Sequence, residues 1–202
     1  MTAIIDYGAG NLHSVQNALD LLGEKSVVTG ERDVIMSADR VILPGVGAFG
    51  DAMERLNQTG LADVVREVAK SGKPLLGICL GLQLMFESSE ENPGVEGLGL
   101  FKGKCVKISE TGLKIPHMGW NDIKVRENSY LLKGLGKEPY VYFVHSYYIQ
   151  PDEDVVSAYT EYGAKLAVAV EKDNVAAVQF HPEKSSDIGM KILKNFIERE
   201  AI

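Results

Sequence analysis

The N-terminal part of the chain alternates short unbroken apolar runs with longer segments of helical period. Thr2 to Tyr7 is an apolar run stopped by Gly8 and predicts a strand. Asn11 then stands as an N-cap before a helix reaching about Leu22, with Leu12, Val15, Ala18, Leu21 and Leu22 on one face. Strands are predicted around Lys25 to Val28 and from Arg40 to Leu43, the latter ending in Pro44-Gly45. Helical period returns over about Gly50 to Leu56 and Leu61 to Ala69, and Ser71-Gly72 closes the second. Pro74 to Ile78 is a short apolar strand that runs directly into Cys79, with Leu82, Leu84, Met85 and Phe86 marking a helix beyond it.

Strands without polar alternation, separated by helices, imply a mainly parallel sheet covered on both faces. After Glu91 the texture changes. Gly94, Gly97, Gly99 and Gly103 mark turns, and short strands are predicted at Cys105 to Ile108, Tyr140 to Tyr148, Val155 to Tyr159, Leu166 to Glu171 and Val175 to Phe180. These read as antiparallel or mixed additions at one edge of the sheet, and a helix from Ser186 to about Arg199 closes the chain. With no repeat, low-complexity tract or Pro/Ser-rich linker, residues 1–202 read as one α/β domain.

Composition narrows the function classes. With 45% hydrophobic and 24% charged residues the chain is globular rather than disordered, and 21 basic against 28 acidic residues, a net charge of -7, argue against a nucleic-acid platform. No apolar run approaches the roughly 18 residues of a membrane helix, and the opening MTAIIDYGAG puts an acid where a signal peptide needs a basic start, so a cytoplasmic protein is expected. In that compartment Cys79 and Cys105 are both expected to stay reduced. No His, Cys or carboxylate spacing suggests a metal site, and no cofactor is expected.

The strongest local signal is Gly77-Ile78-Cys79-Leu80-Gly81 at a strand-to-helix junction. It has the form of a nucleophile elbow with Cys in place of Ser: the glycines allow a sharp turn that presents the thiol at the carboxyl edge of the sheet, at a helix N-terminus that favours the thiolate. A thiolate nucleophile needs a base and an orienter for that base. Downstream, His181 is followed by Pro182, which holds it extended, and by Glu183, two residues on and close enough to orient the imidazole. Cys79, His181 and Glu183 form a Cys-His-Glu triad on this reading. Pro44-Gly45-Val46-Gly47-Ala48-Phe49-Gly50 matches a dinucleotide G-x-G-x-x-G as well, but the acid that would bind the ribose is missing at the right distance. The better reading is a loop whose N–H groups, with that of Leu80, stabilise an oxyanion. On residue type alone, Gln83 and Glu91 read as ordinary exposed polar positions, His117 and Trp120 as a core aromatic cluster, and Cys105 as a small core hydrophobe.

The G-x-C-x-G elbow, the downstream H-P-E and the upstream P-G-x-G resemble the class I, or triad, glutamine amidotransferases. Four segments, Asp6 to Asn11, Pro116 to Asn121, Tyr142 to Tyr147 and Phe180 to Ser186, are similar to the glutaminase subunits of imidazole glycerol phosphate synthases of histidine biosynthesis. The resemblance covers essentially the whole chain and implies a flavodoxin-like architecture. It further implies that Cys79 attacks the carboxamide of glutamine, His181 shuttles the proton to departing ammonia and Glu183 holds the ring. Gly45, Val46, Gly47 and Leu80 would serve the oxyanion and substrate backbone, while Gln83 and Glu91, with the main chain at Ser146 and Tyr147, would hold the amino-acid end. The ammonia would pass to a cyclase subunit, a (βα)₈ barrel, in a heterodimer docked through Asn11, Trp120, Tyr142 and Lys184. The subunit alone would be nearly silent, its Gly45 to Gly47 loop not yet aimed at the oxyanion. Rival readings are a glutaminase of another pathway, such as pyridoxal phosphate synthesis, against which Pro116 to Asn121 argues, another α/β cysteine hydrolase, and a silent docking module.

Overall fold

The computed structural model describes residues 1–8, 10–109 and 112–201. Its first part runs β1 (Thr2–Ile5), α1 (Leu12–Leu21), β2 (Ser26–Thr29), α2 (Arg32–Ser37), β3 (Arg40–Leu43), α3 (Phe49–Gln58), α4 (Leu61–Lys70), β4 (Leu75–Ile78) and α5 (Leu80–Leu84). The second part runs β5 (Ser88–Ser89), β6 (Gly103–Lys107), β7 (His117–Asp122), β8 (Lys124–Val125), β9 (Tyr140–His145), β10 (Tyr147–Pro151), β11 (Val156–Glu161), β12 (Lys165–Lys172) and β13 (Val175–Val178), then a 3₁₀ turn at Pro182–Lys184 and α6 (Ser186–Ile197).

The main sheet has the order β2-β1-β3-β4-β13-β12-β10-β6-β5, with β11 joined to β12 and β8 to β11. From β2 to β13 every pairing is parallel, whereas β13-β12, β12-β10 and β10-β6 are antiparallel. Both faces of the parallel part are covered. Ala3, Ile5, Val41, Leu43 and Leu75 pack with Phe49, Leu56, Val65 and Val68, while Ile4, Ile42, Leu76 and Ile78 pack with Val15, Leu19, Ile192 and Phe196. Each strand position therefore meets a helix layer, which is why these strands read as unbroken apolar runs.

The α/β class with antiparallel strands towards one edge matches the expectation, and the differences have local reasons. Val175 to Phe180, expected among the edge additions, instead supplies the last parallel strand: β13 sits beside β4 and is antiparallel only to β12. The single strand expected over Tyr140 to Tyr148 is two strands, because β9 leaves the main sheet to pair with β7 while β10 pairs with β6 and β12. Neither α2 nor β7 was expected. Gly119, Asn121 and Asp122 make β7 a poor strand by composition, and its six-residue pairing with β9 holds it in place. Leu21, expected on the buried face of α1, is 81% exposed. Asn11 stands at the N-cap position but its Oδ1 accepts from the Ser14 hydroxyl at 2.8 Å and caps no backbone N–H. Ala9 of the Asp6 to Asn11 segment lies outside the described residues.

Candidate active site

Cys79 sits where β4 meets α5, with φ 55° and ψ -110°, a conformation that costs an L-residue energy and persists only when its surroundings impose it. The surroundings do. The Cys79 N–H donates to the Val178 carbonyl at 2.8 Å, a Cβ on Gly81 would run into the Leu43 carbonyl, and one on Gly77 would meet Met85 Sδ at 2.9 Å. The turn is the expected elbow. The helix behind it has only 5 residues, so its dipole aids the thiolate less than a long helix would.

His181 follows β13 in extended backbone, φ -101° and ψ 98°, and its Nδ1 meets Glu183 Oε1 at 2.7 Å. Both side chains are buried, and His181 Nε2 has no hydrogen-bond partner among the described residues. Burial works against the charged ring, but the Cys79 sulfur and the Glu183 carboxylate outweigh it and raise the His181 pKa from 6.5 to about 9. Two bonds fasten this segment to β9, the His181 N–H to the Tyr142 carbonyl at 3.0 Å and the Tyr142 N–H to Ser185 Oγ at 2.9 Å, and the Ser185 hydroxyl closes the segment on itself at the His181 carbonyl at 2.6 Å.

Cys79 and His181 open on a cavity of about 310 Å³, shared with Val46, Gly47, Leu80, Gln83, Glu91, Pro116, Val144, His145, Ser146 and Tyr147. Of the residues expected here, Gly45 and Glu183 stand behind the wall instead, sharing a narrow gap with Asn11, Val46 and His181. Gln83 and Glu91 are not the plain exposed polar residues their types suggest. Gln83 is buried with its Nε2 donating to the Tyr147 carbonyl at 3.2 Å and to Gln179 Oε1 at 3.0 Å, and Glu91 Oε2 accepts from the Phe49 N–H at 2.9 Å. The Leu80 N–H, expected to face an oxyanion, donates to the Gly45 carbonyl at 3.3 Å. Tyr7 holds the neighbouring peptide through its hydroxyl, which donates to the Pro44 carbonyl at 3.1 Å, and burial pushes its pKa up.

Three contributors escaped the sequence reading. Gln179 is wholly buried and its Nε2 points to Cys79 Sγ at 3.8 Å; a polar side chain inside an apolar strand run was the available signal. His117 Nδ1 meets His145 Nε2 at 2.9 Å, and His145 Nδ1 meets the same Tyr147 carbonyl at 2.8 Å. The carbonyl only accepts, so His145 carries its proton on Nδ1 and His117 donates to it. Burial depresses both rings, His117 to about 4 and His145 to about 3, the latter also opposed by the neighbouring histidines.

Of the expected docking residues, Trp120 and Tyr142 face each other across the β7–β9 pairing. Trp120 is 53% exposed, not part of a core cluster, and packs edge-on against Tyr142 at 6.2 Å between ring centroids on the outer face of β7 and β9. Met118 and Tyr140 are exposed on the same two strands, and Lys184 is exposed on the turn after His181. Cys105 is buried in β6 as expected, its sulfur directed at the Gln83 carbonyl at 3.6 Å, and burial and Glu91 push its thiol pKa up.

The model of the class I glutamine amidotransferase family matches residues 3–199. A Moorella thermoacetica protein named imidazole glycerol phosphate synthase subunit HisH is 55% identical over 97% of this chain and 93% of its own length, and the Methanothermobacter thermautotrophicus protein of that name is 50% identical over 98% of both. The chain belongs to the HisH family of class I glutamine amidotransferases. The same fold recurs in a crystal structure of a glutamine amidotransferase, 20% identical with a TM-score of 0.76 over 97% of both chains. It recurs also in the PurLQS structure from Thermotoga maritima, 22% identical with a TM-score of 0.77 over 97% of this chain and 96% of that one. Family membership and fold thus agree with the expectation drawn from the elbow and the H-P-E segment. Among the described residues no helix is long and apolar enough to cross a membrane.

Proposed function

We propose that this member of the HisH family is the glutaminase subunit of an imidazole glycerol phosphate synthase. The observation that carries the reading is the strained Cys79 and the His181–Glu183 pair at one cavity, in a chain half identical to proteins of that name over nearly its whole length. The Cys79 thiolate attacks the carboxamide carbon of glutamine. His181, charged across neutral pH, gives its proton to the leaving nitrogen as the C–N bond breaks, and Glu183 holds the ring and stabilises its charge. Water, deprotonated by His181, then cleaves the thioester to glutamate and restores the thiolate.

Glutamine lies with its amino-acid end between Gln83, Glu91 and the main chain of Ser146 and Tyr147. The oxyanion goes to N–H groups of the Gly45, Val46 and Gly47 loop and Leu80. At rest the Leu80 N–H is already bonded to the Gly45 carbonyl, which supports a subunit that is nearly silent until this loop rearranges. Ammonia passes to the cyclase subunit, a (βα)₈ barrel seated on Trp120, Tyr142, Lys184 and the loop containing Asn11. The cyclase uses it to form imidazole glycerol phosphate and an aminoimidazole carboxamide ribotide. Work with a reactive thiolate suits the reducing cytoplasm, where we place the complex.

The test is steady-state glutamate release by the chain alone, with the cyclase, and with cyclase plus its nucleotide ligand. A gain of two to three powers of ten, about 3–4 kcal/mol of barrier, is expected in the last case, roughly what one oxyanion donor is worth. Equal turnover in all three would refute both partner and gating.

A further inference from the structure

A wholly buried amide needs partners for both of its ends, and the partners of Gln179 fix its orientation. The Tyr147 carbonyl can only accept, so the Gln83 group facing it at 3.2 Å is Nε2. The second N–H of that nitrogen points to Gln179 at 3.0 Å, which makes the facing atom Oε1. Nε2 of Gln179 is then left to face Cys79 Sγ, at 3.8 Å within reach of a large sulfur acceptor. Two consequences follow at opposite ends of one side chain. The sulfur receives an N–H that favours its charged form. Gln83, with both N–H groups spent, has only its Oε1 left for a ligand in the cavity, an acceptor suited to an ammonium and not to a carboxylate.

We propose that Gln179 is a positioning residue for glutamine hydrolysis, holding the Cys79 thiolate through Nε2 and locking Gln83 through Oε1 so that Gln83 offers its carbonyl oxygen to the α-ammonium of the substrate. The inference rests on Cys79 being the nucleophile. The titratable groups around the sulfur are His181 and Glu183, which follow β13, Tyr7, which follows β1, and beyond His181 the ring of His145. Gln179 adds a donor that does not titrate.

Two variants of the full chain separate the two ends. Gln179→Glu keeps the shape and the acceptor for Gln83 but replaces the donor at the sulfur; Gln179→Met removes both. Alkylation of Cys79 by iodoacetamide, followed across pH by mass spectrometry of its peptide, reads the thiolate without any turnover. Both variants are expected to move the alkylation profile up by about one pH unit. KM for glutamine, measured with the cyclase added, is expected to stay within about twofold in Gln179→Glu and to rise about tenfold in Gln179→Met, one hydrogen bond's worth. Melting temperatures check folding, and the isosteric Gln179→Glu carries the thiolate test if Gln179→Met is lost. An unchanged alkylation profile in folded Gln179→Glu would overturn the role at sulfur, and an equal KM rise in both variants the role at Gln83. Failure of the nucleophile itself shows separately, as glutamate release surviving in Cys79→Ala.

Discussion

Two buried pairs, each with one histidine lining the same cavity, behave in opposite ways. His181 beside Glu183 is pushed up to about 9, while His117 and His145, bonded to each other, are pushed down to about 4 and 3. All three rings are nearly inaccessible to water, at 2%, 2% and 5% exposure. Burial therefore sets a penalty common to both pairs, and the partner decides the sign: a carboxylate and a sulfur can hold a charged ring, whereas neighbouring imidazoles oppose one and the single bond from His145 to the Tyr147 carbonyl, which favours the charge, does not offset its burial. The first pair is built to carry a proton, and the second to fix tautomers and tie β7 and β9 to the Tyr147 carbonyl.

The comparison breaks most severely at the sulfur the first pair serves. Cys79→Ala is expected to lower glutamate release by several powers of ten with the fold intact, and a glutamine-mimicking electrophile should label Cys79 and spare Cys105. Labelling confined to Cys105 would remove the basis for treating the two buried thiols differently. Next in size, His181→Ala should cost more turnover than Glu183→Gln, since the base moves the proton and the carboxylate only orients and stabilises it. The reverse order would reassign both roles.

A smaller effect tests the far side of the second pair. Trp120→Ala should weaken binding of the cyclase by about 2 kcal/mol, a roughly thirtyfold rise in Kd measured by titration calorimetry, because a half-exposed indole on an apolar face is a typical anchor. An unchanged Kd would move the interface elsewhere.

The mildest test sharpens the contrast itself. The folded pKa of His181 lies above the ordinary 6.5, so its contribution to stability is fully present below that value and lost as pH rises through about 9. Those of His117 and His145 lie below 6.5, so theirs is fully present above it and lost as pH falls through about 4 and 3. NMR ring signals should accordingly show one buried histidine titrating near 9 and two that stay neutral from pH 5 to 8, and glutamate release should fall as His181 loses its proton above about 9. A buried ring titrating near 6.5 would end the comparison.

The chemistry that was legible in the chain is the chemistry made by near neighbours. Gly77 and Gly81 around Cys79 mark the elbow in the chain, although the Leu43 carbonyl that bars a side chain at Gly81 comes from β3, and His181-Pro182-Glu183 encodes its own 2.7 Å bond because a carboxylate two residues on, in the 3₁₀ turn, lies within reach of the ring. Unbroken apolar runs such as Val41 to Leu43 encode a doubly covered parallel sheet, since every position must find a helix layer. What only the tertiary structure decided is the set of partners that lie far apart in sequence. Gln179 meets Gln83 across 96 residues and Cys79 across 100, His117 meets His145 across 28, and Leu80 spends its N–H on Gly45. An amide, an imidazole or a peptide N–H carries the same bonding capacity in every context, and its role is set by strand order and register, which bring distant residues to one cavity and which no local pattern of residues records.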